Sequence, residues 1–266
     1  MAPTFPRPIG APAPRNQQQT HPTRIARPGS METPQPKSAV RRYDILYLDA
    51  LGNIEDGYKV APAIDAFEAS CGAFAHGTMI QTDNGAVPVE DLLPGQMIMT
   101  RHSGPQPLQW IGSMMLVPNA TDPRITPARL TRITENSIGL GRPTRDLVLG
   151  PHARILRRNA ACLSLFGTES AFAPATAFTD GVTIIDIQPV SSVRVFNLQL
   201  DGQHIITAGG IEVESYHPGR RDAIGLTTQL LPMYLELFPH ISDLQDFGQM
   251  RVPRLSEADI RSLESE

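Results

Sequence analysis

Cysteine is nearly absent: 2 in 266 residues, Cys71 and Cys162. That is too few for a disulfide framework, and neither lies in a C-x-x-C pair or beside histidines at zinc-ligand spacing, which argues against a structural metal. No run reaches the ~18 apolar residues of a membrane span, and the amino terminus, Met1 to Pro8, lacks the apolar core of a secretion signal. The expectation is a soluble chain with no membrane span, no metal and no cofactor, and the default compartment is the cytoplasm. Also missing are a P-loop, a dinucleotide fingerprint, H-E-x-x-H and G-x-S-x-G, so nucleotide-dependent and common hydrolytic chemistries have no signature here.

Aromatic residues are only 6%, whereas 25 prolines and 21 glycines exceed ordinary usage. Short strands joined by many turns fit that composition better than long helices. Residues 1–42 carry seven basic side chains (Arg7, Arg15, Arg24, Arg27, Lys37, Arg41, Arg42) against Glu32 alone, a net of +6, which leaves −10 for the rest of a chain totalling −4. An acidic body is a poor match for phosphate, so no nucleic acid is expected on the folded domain. With nine prolines and Gln17-Gln18-Gln19, residues 1–42 cannot bury enough apolar surface to offset the entropy of ordering, and they read as a disordered basic tail.

Order is expected to begin at Tyr43, with lead-in strands and a short helix over 43–70, a β domain over 71–216 and an extension over 217–266. Thr78–Thr82 and Ala86–Val89 flank Asp83-Asn84-Gly85, a strong hairpin signal, with Pro88 confining its strand to an edge. Further strands are predicted at Gln96–Thr100, Pro107–Gly112, Asp146–Leu149, Arg154–Leu156, Val182–Ile187, Val193–Leu200, His204–Thr207 and Ile211–Glu214. Ser256 with Asp259 three residues on forms a capping box for a final helix. Trp110 is expected to pack in the core with its indole N–H bonded locally.

From Gly77-Thr78-Met79-Ile80 through Val89-Glu90-Asp91-Leu92, Pro94-Gly95 and Gln109-Trp110-Ile111-Gly112, then at Asp146 to Leu156 and Val195 to Ser215, the chain resembles bacterial Hint (hedgehog/intein) domains. The resemblance spans roughly residues 73–215. It implies an all-β, horseshoe-shaped fold with internal pseudo-symmetry and the family's activity, protein autoprocessing. In that reaction a leading cysteine or serine attacks the preceding carbonyl and converts an amide into a thioester or ester. The site must supply the nucleophile, donors for the oxyanion, and an imidazole that protonates the departing amine.

Carried over residue by residue, those groups are mostly missing. The cysteine four residues before the Gly77-Thr78 pair falls on Ala73. Cys71 lies two residues upstream, ~6–7 Å away along an extended chain. In the family's Ser-Pro-x-His-Arg segment, Gly150-Pro151 take the first two places, His152 the variable one and Ala153 that of the histidine. As a strand neighbour His152 is expected to face away from the site. The late-strand histidine survives as His204, with Asp201 placed to orient it. Val213-Glu214-Ser215 supplies neither the terminal Asn nor the adjoining His of splicing, so splicing with ligation is not carried over.

Two readings follow. The first is a catalytically silent Hint module kept as a scaffold or interaction domain with a protein partner. The alternative is a self-cleaving protein that uses Cys71, helped by His152 or His204, to release the amino-terminal tail. A third role, a tail that binds an anionic partner, rests on charge alone. The resemblance leaves open export without a cleaved amino-terminal signal.

Overall fold

A computed structural model describes residues 39–118 and 127–264, together with Met1 and Thr4. Most of the predicted tail therefore lies outside the described residues. Its last residues do not behave as tail: the first strand starts three positions before Tyr43. Arg41 donates to Glu68 at 2.8 Å, and the Arg42 guanidinium sits 4.1 Å from the centre of the Tyr58 ring. Both arginines belong to the folded body.

The first half of the body runs β1 (Val40–Leu48), β2 (Ile54–Pro62), α1 (Asp65–Cys71), β3 (Phe74–Ala75), β4 (Met79–Thr82), β5 (Gly85–Pro88), β6 (Met97–Thr100), β7 (Gly104–Pro107) and β8 (Trp110–Leu116). The second half runs β9 (Leu130–Ile133), β10 (Leu147–Leu149), β11 (Arg154–Arg158), α2 (Ala160–Phe166), β12 (Ser170–Pro174), β13 (Ile184–Ile187), β14 (Val193–Gln199), β15 (Ile205–Ala208) and β16 (Ile211–Glu214). It closes with α3 (Leu230–Leu235) and α4 (Glu257–Glu264). The body is thus mostly strand, as turn-rich, helix-poor composition dictates. No helix of the described residues is long and apolar enough to cross a membrane.

The strands form two antiparallel sheets. One is ordered β13-β9-β10-β3-β14-β8-β1-β2, the other β12-β11-β16-β15-β4-β6-β7, with β5 paired to β4 alone. Pro88 ends that outer strand, where a missing N–H is tolerated. The hairpin closes at Thr82 opposite Gly85. Its loop is therefore Asp83-Asn84, one position earlier than an Asn-Gly turn, and Gly85 opens β5 at φ +107°, a conformation only glycine adopts easily. The predicted strand at Pro107–Gly112 straddles the end of β7 and the start of β8, because the chain breaks at Leu108-Gln109 between them.

Strand alternation sorts the core into two layers. An inner cluster drawn from both sheets holds Ala73, Ile80, Ile98, Ile111, Ala153 and Phe196, among others. On the opposite face of the first sheet an outer cluster holds Tyr43, Phe67, Cys71 and Trp110 with Tyr216, Tyr234, Phe238 and Phe247. Neighbours on β8 divide between the two, Trp110 outward and Ile111 inward. The segment after residue 216 therefore packs on the body through Tyr234, Phe238 and Phe247. Trp110 donates its indole N–H to the Leu237 carbonyl at 2.7 Å, 127 positions along the chain, so its partner is not the local one expected from sequence. The final helix begins as its capping box requires: Ser256 N–H donates to Asp259 Oδ2 at 2.8 Å, and Asp259 N–H to Ser256 Oγ at 3.2 Å.

Candidate functional site

The polypeptide leaves α1 through Cys71-Gly72 and enters β3 just beyond Ala73. The turn after β10, Gly150-Pro151-His152, packs directly across this crossing. A Cβ on Gly150 would lie 2.2 Å from the Gly72 carbonyl oxygen, and one on Gly72 would lie 2.5 Å from the His152 ring and 2.8 Å from the Glu68 carbonyl oxygen. Both glycines are therefore demanded by close approach. The Gly72–Ala73 peptide, the bond the resemblance marks, is fully hydrogen-bonded. Gly72 C=O accepts from His152 N–H at 3.0 Å, Ala73 N–H donates to Phe196 C=O at 2.9 Å, and Ala73 C=O accepts from Gly150 N–H at 2.7 Å.

A serine at Gly150, as the family pattern has it, is expected to cost up to ~3 kcal/mol, since the new Cβ meets backbone and neither side can rotate away. Urea denaturation of Gly150→Ser checks this; a variant as stable as the parent would show that the turn can retreat.

Ala73 forms part of the wall of a cavity of about 260 Å³, together with His152, Arg154, Glu214, Tyr216 and Arg254. His152 is thus on the site side. The expectation that it faces away fails because it sits in a turn, where strand alternation does not apply. Its Nδ1 lies 3.5 Å from Asp65 Oδ1, and burial lowers its pKa, with Asp65 and Glu68 acting in the opposite direction.

Cys71 turns the other way. Phe67 and Cys71, four apart on α1, share one face, and that face enters the outer cluster. The thiol is fully buried, 3.4 Å from Ser70 Oγ, and so close to β8 that a Cβ on Gly112 would fall 2.6 Å from Sγ. Burial pushes its pKa up to about 12. His204 does not line the cavity. Its Nε2 lies 2.8 Å from the backbone oxygen of Asp201, so the main chain, not the carboxylate, orients the ring; burial lowers its pKa. Cys71, His152 and His204 therefore share no hydrogen bond among the described residues.

The remaining motif positions serve the fold. Gly77 adopts φ +84° and gives its N–H to Glu90 Oε2 at 2.8 Å, and Thr78 is buried with Oγ1 donating to Val148 C=O at 3.3 Å. Glu90 thus ties the hairpin to β3. Ala153 is buried in the inner cluster, where its C=O accepts from Ala175 N–H at 2.9 Å.

What sequence reasoning missed is a buried polar knot on the cavity wall. Glu214 accepts Arg254 Nε on both oxygens, at 2.9 and 3.1 Å, and also Gln203 Nε2. Arg254 gives a further N–H to His217 C=O at 2.6 Å. Glu214 was visible only as a motif letter, and Arg254, forty residues on, carried no signal. Among the described residues no group of three His, Cys, Asp or Glu could hold a metal.

Four histidines, His152, His204, His217 and His240, have pKa values lowered first by burial, His240 to about 4. Each is harder to protonate in the folded chain than in the unfolded chain, where histidine takes up protons near 6.5. Their stabilisation is complete above that pH and is lost as pH falls through the lowered folded values, about 4 for His240. The thermal midpoint should drop between pH 7 and 5, and less in His240→Gln; equal slopes would remove His240 from the account.

The Hint domain family model matches residues 72–220. Among solved structures, the chain is similar to a bacterial intein-like domain from Clostridium thermocellum solved in solution. That match has 12% identity and a TM-score of 0.39, and covers 55% of this chain and all of the other. It is also similar to the gp41-1 intein, at 12% identity and TM-score 0.32, covering 55% of this chain and 98% of the other. No curated protein matches. With more than half of its residues matched by that model, the chain belongs to the Hint domain family.

Proposed function

We propose that this Hint domain performs no self-cleavage and serves as a scaffold or interaction module for a protein partner. One observation carries the reading: at Gly72–Ala73 the side chain facing the cavity is a methyl group, and the nearest thiol is sealed in a different layer of the core. A methyl cannot form the acyl intermediate, and loss of a general acid or base alone costs ~10²–10⁴-fold. Cys71, the alternative nucleophile, is held as the thiol at neutral pH because burial pushes its pKa up to about 12, and neither Ser70 nor Cys71 lines the cavity that His152 lines. Meanwhile Gly77, Thr78 and Glu90 keep their structural bonds. A fold maintained after its chemistry has gone is what an interaction module requires.

Alkylation tests the carrying observation. In the folded chain Cys71 should resist iodoacetamide at pH 8, while the urea-unfolded chain reacts at both cysteines. Rapid modification of Cys71 in a chain that stays folded would overturn the proposal.

A further inference from the structure

We infer that the cavity beside Ala73 is a binding site for a monocarboxylate, held by the Arg154 guanidinium. The wall is short of acceptors. Glu214, only 5% exposed, is taken by Arg254 and Gln203, and its nearer oxygen stands 3.9 Å from Arg154 Nε, outside hydrogen-bonding range. That Nε is removed from solvent and has no hydrogen-bond partner. Among the described residues the Arg154 guanidinium makes no hydrogen bond, although its side chain remains 32% exposed and so reaches the opening. A guanidinium presents a planar fork of donors that fits a carboxylate in two parallel bonds, and Arg154, ion-paired with Glu214 at 3.9 Å, makes neither of them.

A second donor is in excess nearby. Tyr216 and Tyr234 both line the cavity, and their hydroxyls bond to each other. Two phenols hold two protons, and one mutual bond uses only one of them. Burial raises the pKa of both, so the spare proton stays in place to be donated.

Donor geometry and size set the ligand class. Arg154 and Arg254 against Glu214 and the 92% exposed Asp65 make the lining formally neutral, so the unfilled demand is the donor fork of Arg154 and not a net charge. A single carboxylate fits that fork. The volume of about 260 Å³ exceeds several times the ~30 Å³ share of a water molecule, and the methyl groups of Ala66, Ala69 and Ala73 give an apolar side for a short carbon chain. A small aliphatic acid or the free carboxyl end of a peptide meets these terms. The inference rests on the silent reading, because a domain that cleaves at Gly72–Ala73 needs this space for its own reacting bond.

The full chain would be titrated with butyrate and with N-acetyl-alanine at constant ionic strength, following the arginine Nε–H resonances, with butyramide and N-acetyl-alaninamide as neutral controls. Saturable movement of the Arg154 resonance, with Kd on the order of 1 mM or below, is expected for an acid and not for its amide. Tighter butyrate assigns a free acid, and tighter N-acetyl-alanine a chain terminus. Arg154→Lys, which keeps the charge and loses the fork, should weaken binding at least several-fold. Should that variant misfold, the wild-type thermal midpoint must still rise with the acid and not with matched chloride. Equal response to acid and amide, or none to either, overturns the site. The mass of the same sample separates the two readings: a split chain that still binds overturns silence alone, and an intact chain that does not bind overturns the site alone.

Discussion

Trp110→Ala is expected to lower the unfolding free energy by about 3–5 kcal/mol, read as a fall in the urea midpoint at unchanged slope. Trp110 has no exposed surface, and its ring lies 4.5 Å from Phe238 and 6.0 Å from Tyr216, centroid to centroid. Truncation would open a void where the carboxy-terminal segment meets the first sheet and would strand the Leu237 carbonyl without its donor. Trp110→Phe separates the two effects: it keeps most of the ring volume and forfeits the hydrogen bond, worth about 1 kcal/mol. A loss under ~1 kcal/mol in Trp110→Ala, below the usual range for a buried aromatic, would mean that this segment does not belong to the core.

Glu214→Ala is the second large effect, with about 3 kcal/mol expected at neutral pH. The carboxylate is 5% exposed and its removal leaves Arg254, 18% exposed, facing Arg154 with no anion between them. Gln203 loses an acceptor as well. The knot ties β16 to the segment around Arg254, so the damage should spread to both. A double-mutant cycle with Arg254→Ala checks the origin: the second substitution should add little to the first, giving a coupling of at least ~1.5 kcal/mol. Independent, additive losses would show that the two side chains do not act as a pair.

Much of the strand pattern was legible because local rules govern it. Met79–Thr82 alternates exposed and buried along β4, and Pro88 marks an outer strand by the donor it lacks. β12 escaped notice because Ser170–Pro174 is buried as a small-residue run around Phe172 and alternates nothing. α2 is seven residues of mixed character, too short for helical periodicity to register. At the site, sequence assigned Ala73 and Ala153 to motif positions but could not show which way neighbouring side chains point. His152 faces the cavity because a glycine turn carries it there. Cys71 is sealed by Trp110 and Gly112, some forty residues on. Arg254 reaches Glu214 only after the chain has wrapped the outer face. Each depends on distant pieces meeting, which no window along the sequence contains.

In the function proposed above, a methyl at Ala73 and a buried thiol at Cys71 leave this Hint domain unable to cut itself. The most direct measurement is the intact mass of the purified chain after prolonged incubation with dithiothreitol or hydroxylamine, which trap a thioester or ester if one forms. The account predicts a single species at 29.0 kDa under every condition. A pair of fragments divided between Ser70 and Cys71, and absent from Cys71→Ala, would contradict it.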